Sequence, residues 1–383
     1  MERRIVKVAI DGSVLQSYEG GIARVTSQLI LAMIESRPEW AIRVFGHSDR
    51  SNVSWHVGGR AARLMSIPAI FYRYLFWPQV VLPLKLLKYR PMMIISPNYV
   101  TPWLFRKRCI VIVHDASSFR VRQQQAGRNL RLRGWPVRLY HSFNRHMIRS
   151  AARSCACLVA PSEVTRERVR ISVRKIRVPF VVIPWAAQAD WGDLDLTKHV
   201  SKDLYLLAVN VHNASVLRQV AQAIDEINTS EGGSRSLSLR VVGHLTGDIS
   251  SLGASVCQMG RVSESALKKL YAGALGVVVS TVENGFGLPV LEAMSLGVPC
   301  IVREGSAEAE VAGGLGAIEC DGSVRGWVDA IKTLLKSGEF WTALGQEARV
   351  RSESFSWEAV GNAFAGLVEE RYATRSADDT ASH

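Results

Sequence analysis

Residues 283–294 read Glu283-Asn284-Gly285-Phe286-Gly287-Leu288-Pro289-Val290-Leu291-Glu292-Ala293-Met294, directly after the apolar run Ala274-Leu275-Gly276-Val277-Val278-Val279-Ser280. Short and rich in valine, that run has the composition of a buried parallel strand, and Pro289 to Leu296 has helical spacing with a proline near the first turn. The glycines therefore fall at a strand-to-helix turn. Backbone N–H groups at a helix start, with no side chains to block approach, suit a phosphorylated or hydroxylated ligand, and Glu292 offers a carboxylate to a sugar diol.

Outward from this turn, strands and helices alternate. Tyr205 to Val211 reads as a strand, Ser215 to Ile227 as a helix, Leu237 to Val242 as a strand, Leu267 to Ala274 as a helix and Leu275 to Ser280 as the strand before the glycines. The first half repeats the theme. Val6 to Ile10 is a strand, Gly20-Gly21 punctuates a loop, Ile22 to Ile34 is a helix with Ile22, Val25, Leu29, Ile30 and Met33 at helical spacing, and Ala41 to Phe45 is the next strand. Two successive series of this kind predict an α/β chain built of two Rossmann-like, doubly wound parallel sheets. After Pro184 the pattern weakens through Ala186 to Leu196, which marks a linker between the halves.

Cys109 to Val113 is a further strand, ending in His114-Asp115. A histidine there faces the crevice in which doubly wound sheets bind ligands, although a hydrogen-bonded structural histidine would give the same pair. Tyr72 to Arg90 mixes aromatics, leucines and basic ends. It reads either as a helix lying in a membrane interface or as one packing on the sheet, with Pro78 and Pro83 breaking any long continuous helix.

The chain has 383 residues, enough for two or three domains with full cores at 48% hydrophobic content. Its six cysteines, Cys109, Cys155, Cys157, Cys257, Cys300 and Cys320, mostly lie in or beside apolar runs without C-x-x-C spacing, so buried free thiols in a reducing compartment are expected. The basic start Met1 to Lys7 leads into a first strand and not a signal peptide, and no apolar run reaches the roughly 18 to 20 residues of a membrane span. Net charge is +13. Between Arg120 and Arg177, fifteen cations face only Glu163 and Glu167, an excess equal to that of the whole protein. Trp135, Leu139, Phe143, Met147 and Ile148 are interleaved as one helix face, so the arginines line the other, as a solvated face or as a docking surface for anionic lipid.

Gly285-Phe286-Gly287-Leu288-Pro289-Val290-Leu291-Glu292-Ala293-Met294 resembles the donor-site motif of family-4 retaining glycosyltransferases, sugar-nucleotide enzymes of the GT-B class and of the type found in bacterial polysaccharide and lipopolysaccharide assembly. Glu19-Gly20-Gly21-Ile22-Ala23-Arg24, Ile112-Val113-His114-Asp115, Ser118-Phe119-Arg120, Gly260-Arg261-Val262-Ser263, Ser306 to Gly313 and Phe355-Ser356-Trp357-Glu358 also resemble family segments, so the likeness covers about residues 5 to 371. It implies two Rossmann-like domains whose parallel sheets face a central cleft: an acceptor domain over 1–185, a nucleotide-sugar domain over 186–355, and a helix over 356–373 that crosses back to the first domain. A small polar tail, 374–383, is expected to be disordered.

The resemblance further implies a catalytic loop at His114 and Asp115, and acceptor contacts from Arg24 and Arg120. Donor contacts would come from Gly20, Gly21, Asn210, His212, Arg218, Glu283, Asn284, Gly285, Phe286, Gly287, Leu288 and Glu292, with Glu310 as a further donor-side glutamate. The implied reaction moves a hexose from a nucleotide-diphosphate sugar, GDP-mannose being a common family donor, to a hydroxyl of a glycan or lipid-linked glycan. No cofactor and no metal is implied; nor is nucleic acid a partner, while an anionic membrane is. The expected location is cytoplasmic, peripheral on the inner face of the plasma membrane. Two departures favour an alternative, a degenerate relative that acts in binding or assembly. Asn284 occupies the slot of a family glutamate, with Glu283 one residue earlier, and Ala214 and Ser215 occupy the slots of the Arg and Lys that meet the diphosphate. Arg218, His212 and Arg261 are the candidates to substitute.

Overall fold

A computed structural model describes residues 5–16, 21–46, 72–119, 135–188, 204–211, 214–230, 236–243, 245–247, 252–281 and 283–381. Its contacts divide the chain into two compact units, Met1–Trp185 with Trp357–His383, and Ala186–Ser356.

In the first unit, six short strands run parallel in the order β2-β1-β3-β4-β5-β6. They are β1 (Lys7–Asp11), β2 (Ala41–Phe45), β3 (Met93–Ser96), β4 (Cys109–Ile112), β5 (Cys157–Ala160) and β6 (Phe180–Val182). Every residue of β3, β4 and β5 is buried, which is why their sequences are continuous apolar runs and not alternating ones. Because β1 pairs with both β2 and β3, the direction of strand addition reverses at β1, and the crevice beyond the carboxyl ends of β1 and β3 is the ligand position of such sheets. The prolines in 72–90 do not break the segment as expected: helical residues run without a gap from Tyr72 to Tyr89, and Pro78 is accommodated by wide π-type turns over Tyr72–Val81 that pass at Val81, still in helical conformation, into the α-helix Leu82–Tyr89.

The helix Trp357–Ala381 lies on the helix Gly21–Ser36 of this unit. Val360, Phe364 and Val368 form its buried stripe, and Gly361 meets the Ala32 carbonyl so closely that no side chain would fit. Ser36 Oγ donates to Asn362 Oδ1 at 2.7 Å and Arg37 pairs with Glu369 at 3.2 Å along the seam. The stretch 374–381, expected to be a disordered tail, is instead helical to Ala381. Its residues are small and polar, but none is Gly or Pro, and Thr374 Oγ1 bonds back to the Glu370 carbonyl at 2.9 Å, so nothing stops propagation.

The second unit repeats the design with β7 (Tyr205–Val209), β8 (Ser238–Val242), β9 (Val256–Gly260), β10 (Gly276–Val279), β11 (Cys300–Arg303) and β12 (Ala317–Cys320), all parallel, in the order β12-β11-β10-β7-β8-β9. Reversal occurs between β7 and β10, so the turns after these two strands, at Asn210 and at Glu283, leave neighbouring strand ends. Leu206, Ile224, Leu239, Val241, Val278, Trp327 and Ile331 belong to one core against this sheet. The expected helix 215–227 begins as a 3-10 turn, Ala214–Leu217, and continues as Arg218–Ser230. Thr229 and Ser230 do not end it early because their hydroxyls bond back to the Asp225 and Ile227 carbonyls. Of the six thiols, only Cys257, on the edge strand β9, is exposed. No helix among the described residues is long and apolar enough to cross a membrane.

Candidate functional site

In the second unit the site is built on the turn that carries the chain from β10 into the helix Leu288–Ser295. Gly287 is the N-cap with φ 109° and ψ 48°, a left-handed conformation that favours glycine. Its carbonyl accepts from the Val290 and Leu291 amides at 3.0 and 3.1 Å, which starts the helix. A side chain at Gly287 would also meet Glu308 Cγ at 2.7 Å, so two independent constraints require glycine here. Phe286 is buried and packs edge-on against Phe355 at 6.0 Å, which anchors the middle of the turn. Glu283 is half-buried and its amide donates to Thr281 Oγ1 at 3.1 Å; Gly285 and Leu288 are likewise half-buried.

Glu292 projects into the unit from the helix and is only 2% exposed. The hydroxyl of Tyr271, itself fully buried, donates to Glu292 Oε2 at 2.8 Å and fixes the carboxylate's orientation. The second carboxylate at the turn was not identified from sequence. Glu308, fully buried in the helix Ala307–Ala312, accepts from Asn284 Nδ2 at 2.6 Å through Oε1. Glu310, expected as a further donor-side glutamate, is half-buried two residues on, and the bond to Asn284 is made by Glu308. Two residues apart, Glu308 and Glu310 point about 200° apart around the helix, so only one can face the turn. The phase is set by Ser306, whose side chain caps the helix by accepting from Ala309 N at 3.1 Å. That capping serine next to two glutamates is the signal that would have separated them.

At the adjoining strand end, Asn210 takes a left-handed φ of 58°, which asparagine tolerates better than most residues, while its amide donates to the Val242 carbonyl at 3.0 Å. Ala214 is buried and bonds to the Thr246 carbonyl; Ser215 is exposed. The first cationic side chain beyond them is Arg218, half-buried at the start of the helix Arg218–Ser230. His212 lies outside the described residues.

In the first unit, His114 follows β4. Its Nε2 donates to the Pro97 carbonyl at 2.8 Å, just past the end of β3, which leaves Nδ1 as an acceptor in the neutral ring. Burial pushes its pKa below the ordinary histidine value, outweighing the opposing influence of Pro97 and Asp115. Asp115 turns back on its own loop and accepts from the Ser117 amide at 2.8 Å and the Ser117 hydroxyl at 2.5 Å. The loop is then held by the helix Trp135–Ser154. Arg145 donates to the Ser118 carbonyl at 2.8 Å, and His141 meets Ser118 Oγ at 3.2 Å. Burial first, then Arg145, lower the His141 pKa. Behind His114, at 6.1 Å between ring centroids, lies buried Trp185, which stacks on Trp357 and Phe364 of the C-terminal helix. Asp11, at the end of β1, is buried and accepts from Ser13 N and Trp77 Nε1, both at 3.0 Å. Gly21 opens the helix Gly21–Ser36 and Arg24 lies half-buried in its first turn. Gly20 and Arg120 lie outside the described residues.

Residues 204–337 match the family model described as glycosyl transferases group 1, a span that includes the whole turn and both carboxylates. Over 121 residues the chain is 32% identical to a D-inositol 3-phosphate glycosyltransferase of Corynebacterium glutamicum, covering 31% of this chain and 29% of that protein. It is also 32% identical over 100 residues to O-antigen chain mannosyltransferase B of Escherichia coli, covering 26% of each. The chain thus spans under a third of the length of these curated relatives. Sucrose-phosphate synthase from Thermosynechococcus elongatus superimposes with a TM-score of 0.70 at 17% identity, over 97% of this chain and 100% of that one. That likeness gives the fold, the two-unit α/β architecture of the GT-B class.

Proposed function

Because residues 204–337 are a glycosyl transferases group 1 domain, we propose that the chain is a hexosyltransferase that moves a sugar from a nucleotide-diphosphate donor to a hydroxyl of a glycan or lipid-linked glycan. One observation carries this reading: at the reversal point of the second sheet, the glycine turn, buried Glu292 and the Asn284–Glu308 pair stand together beside the Asn210 strand end. A ribose or sugar diol needs oriented acceptors. Glu292 supplies one, held by Tyr271, and the amides at the turn face the diphosphate.

In this reading the diphosphate charge is met by backbone amides and by Arg218 in place of the residues at 214 and 215, with no metal. His114, neutral at pH 7 and with Nε2 committed to Pro97, offers Nδ1 as a hydrogen-bond acceptor to a sugar hydroxyl. Transfer proceeds with retention: the leaving phosphate oxygen takes the proton of the acceptor hydroxyl on the face it departs from, so no protein base is needed. The donor we favour is GDP-mannose, in keeping with the mannosyltransferase relative.

The test is calorimetry of the purified chain with GDP-, UDP- and dTDP-sugars, followed by measurement of nucleoside diphosphate release with and without glycan acceptors. Binding of one donor, weakened at least tenfold by Glu292→Gln, supports the reading; no binding of any donor overturns it. A second reading, a transferase fold retained for assembly, is favoured by buried Ala214 and exposed Ser215 where cations are expected. It requires that no donor binds and that a partner transferase is stabilised.

A further inference from the structure

Two adjoining cavities lie on the first unit, and none of the residues that line them is among those assigned to the site just described. One, of about 400 Å³, is lined by Arg106, His146, Arg149, Ser150, Arg153 and Ser154. The other, of about 310 Å³, shares Arg149 and Arg153 and adds Ser172, Val173, Arg174 and Lys175. Together they form a groove with five cationic side chains and no carboxylate among the lining residues. The two acids of the neighbouring helix Glu163–Ser172 are already committed, Glu163 to Arg166 at 2.5 Å and Glu167 to Arg170 at 3.0 Å. Among the described residues, none of the groove's cations is in an ion pair; Arg149 is held over the Phe119 ring at 5.7 Å.

What flanks the groove distinguishes it from a solvated basic face. Arg106 belongs to the turn Trp103–Arg108, whose Phe105 is buried and anchors it, while Trp103 and Leu104 are 54% and 68% exposed. The Trp103 amide is held by Gln79 Oε1 at 3.0 Å. Ile171, 82% exposed, precedes Ser172 and Val173 on the other side. Large apolar side chains in water on both sides of unpaired arginines fit a surface that is itself charged at the headgroups and apolar beneath, since tryptophan is favoured at that boundary and each near-surface cation attracts anionic lipid.

We propose that this groove docks the protein on an anionic phospholipid surface, with lipid phosphates between Arg106, Arg149, Arg153 and Arg174 and with Trp103, Leu104 and Ile171 dipping into the acyl boundary. Docking of this kind is independent of sugar transfer, so its failure leaves the transferase reading standing, and the reverse holds too.

The experiment is co-sedimentation of the full chain with vesicles of phosphatidylcholine alone and of phosphatidylcholine with about 30% phosphatidylglycerol, at low and high salt. Binding is expected only with phosphatidylglycerol, weakened by salt, and reduced about 100-fold in the triple variant Arg106→Gln, Arg153→Gln, Arg174→Gln, at roughly fivefold per cation. Brominated phosphatidylglycerol should quench tryptophan fluorescence of the parent chain and quench Trp103→Phe less. Circular dichroism spectra and melting temperatures matched to the parent show that the variants fold. Equal vesicle binding by parent and triple variant overturns the proposal, as does quenching unchanged in Trp103→Phe. It is overturned as well if the groove binds only inorganic phosphate or DNA and no vesicle.

Discussion

Asn284 sits 2.6 Å from a buried carboxylate, and an amide is the group of its size that can donate there. A carboxylate at 284, itself exposed, would face buried Glu308 with like charge, so Asn284→Asp should cost about 1 kcal/mol at pH 8. The sign with pH follows: the paired carboxyls have folded pKa values raised above the unfolded ones, so the loss is present above the folded values and fades as pH falls toward about 4. Urea unfolding of parent and variant across that range measures it, and a gap that does not close on acidification counts against the pairing. His114 gives the second titration. Its folded pKa is lowered, so its contribution is intact above the ordinary value near 6.5 and is lost as pH falls below it. Between pH 7.5 and 5.5 the parent should lose more stability than His114→Gln, with His141, also lowered, leaving a slope of the same sign in both. Gly287 and Glu292 were legible in the sequence because spacing and residue type point to one strand-to-helix turn. Glu308 was not, because its partner lies 24 positions away and only the phase of a six-residue helix decides between it and Glu310.

At the scale of elements, the turn between β10 and the helix Leu288–Ser295 is the most constrained segment of the second unit. Gly287→Ala meets both a positive φ and Glu308 Cγ, so it should cost at least about 2 kcal/mol and abolish donor binding, read by thermal unfolding and calorimetry. Full activity in that variant would contradict the geometry. The strands with continuous valine and isoleucine were readable, since burial on both faces leaves one composition. The edge strand β9 was not: Cys257, Gln258 and Met259 are exposed and follow neither the alternating nor the continuous pattern. Local hydrogen bonds explain the other misjudged boundaries, because Thr229, Ser230 and Thr374 bond back to carbonyls of their own helices and extend them past the last apolar residue.

At the scale of the molecule, Trp185 ties two distant parts of the chain, stacking at 6.3 Å on Trp357 and at 6.1 Å on Phe364 while lying 6.1 Å from His114. Trp185→Ala should therefore destabilise the first unit by about 3 to 5 kcal/mol. Hydrogen exchange would show loss of protection in the helices Gly21–Ser36 and Trp357–Ala381 while the second unit keeps its own; uniform loss over both units would refute the division. The alternation of strands and helices made the two sheets legible, but the partner of the last helix was supplied by family resemblance alone.

The discontinuity of that first unit bears on how the protein is made. On the ribosome, Trp185 is synthesised about 170 residues before the aromatic side chains that cover it, an interval of roughly 10 to 30 seconds at ordinary translation rates. The contiguous second unit can reach its native state during that wait. The earlier-made unit stays open along the Gly21–Ser36 helix until Trp357–Ala381 has been made, and during translation that open helix is the stretch on which a nascent-chain chaperone would act.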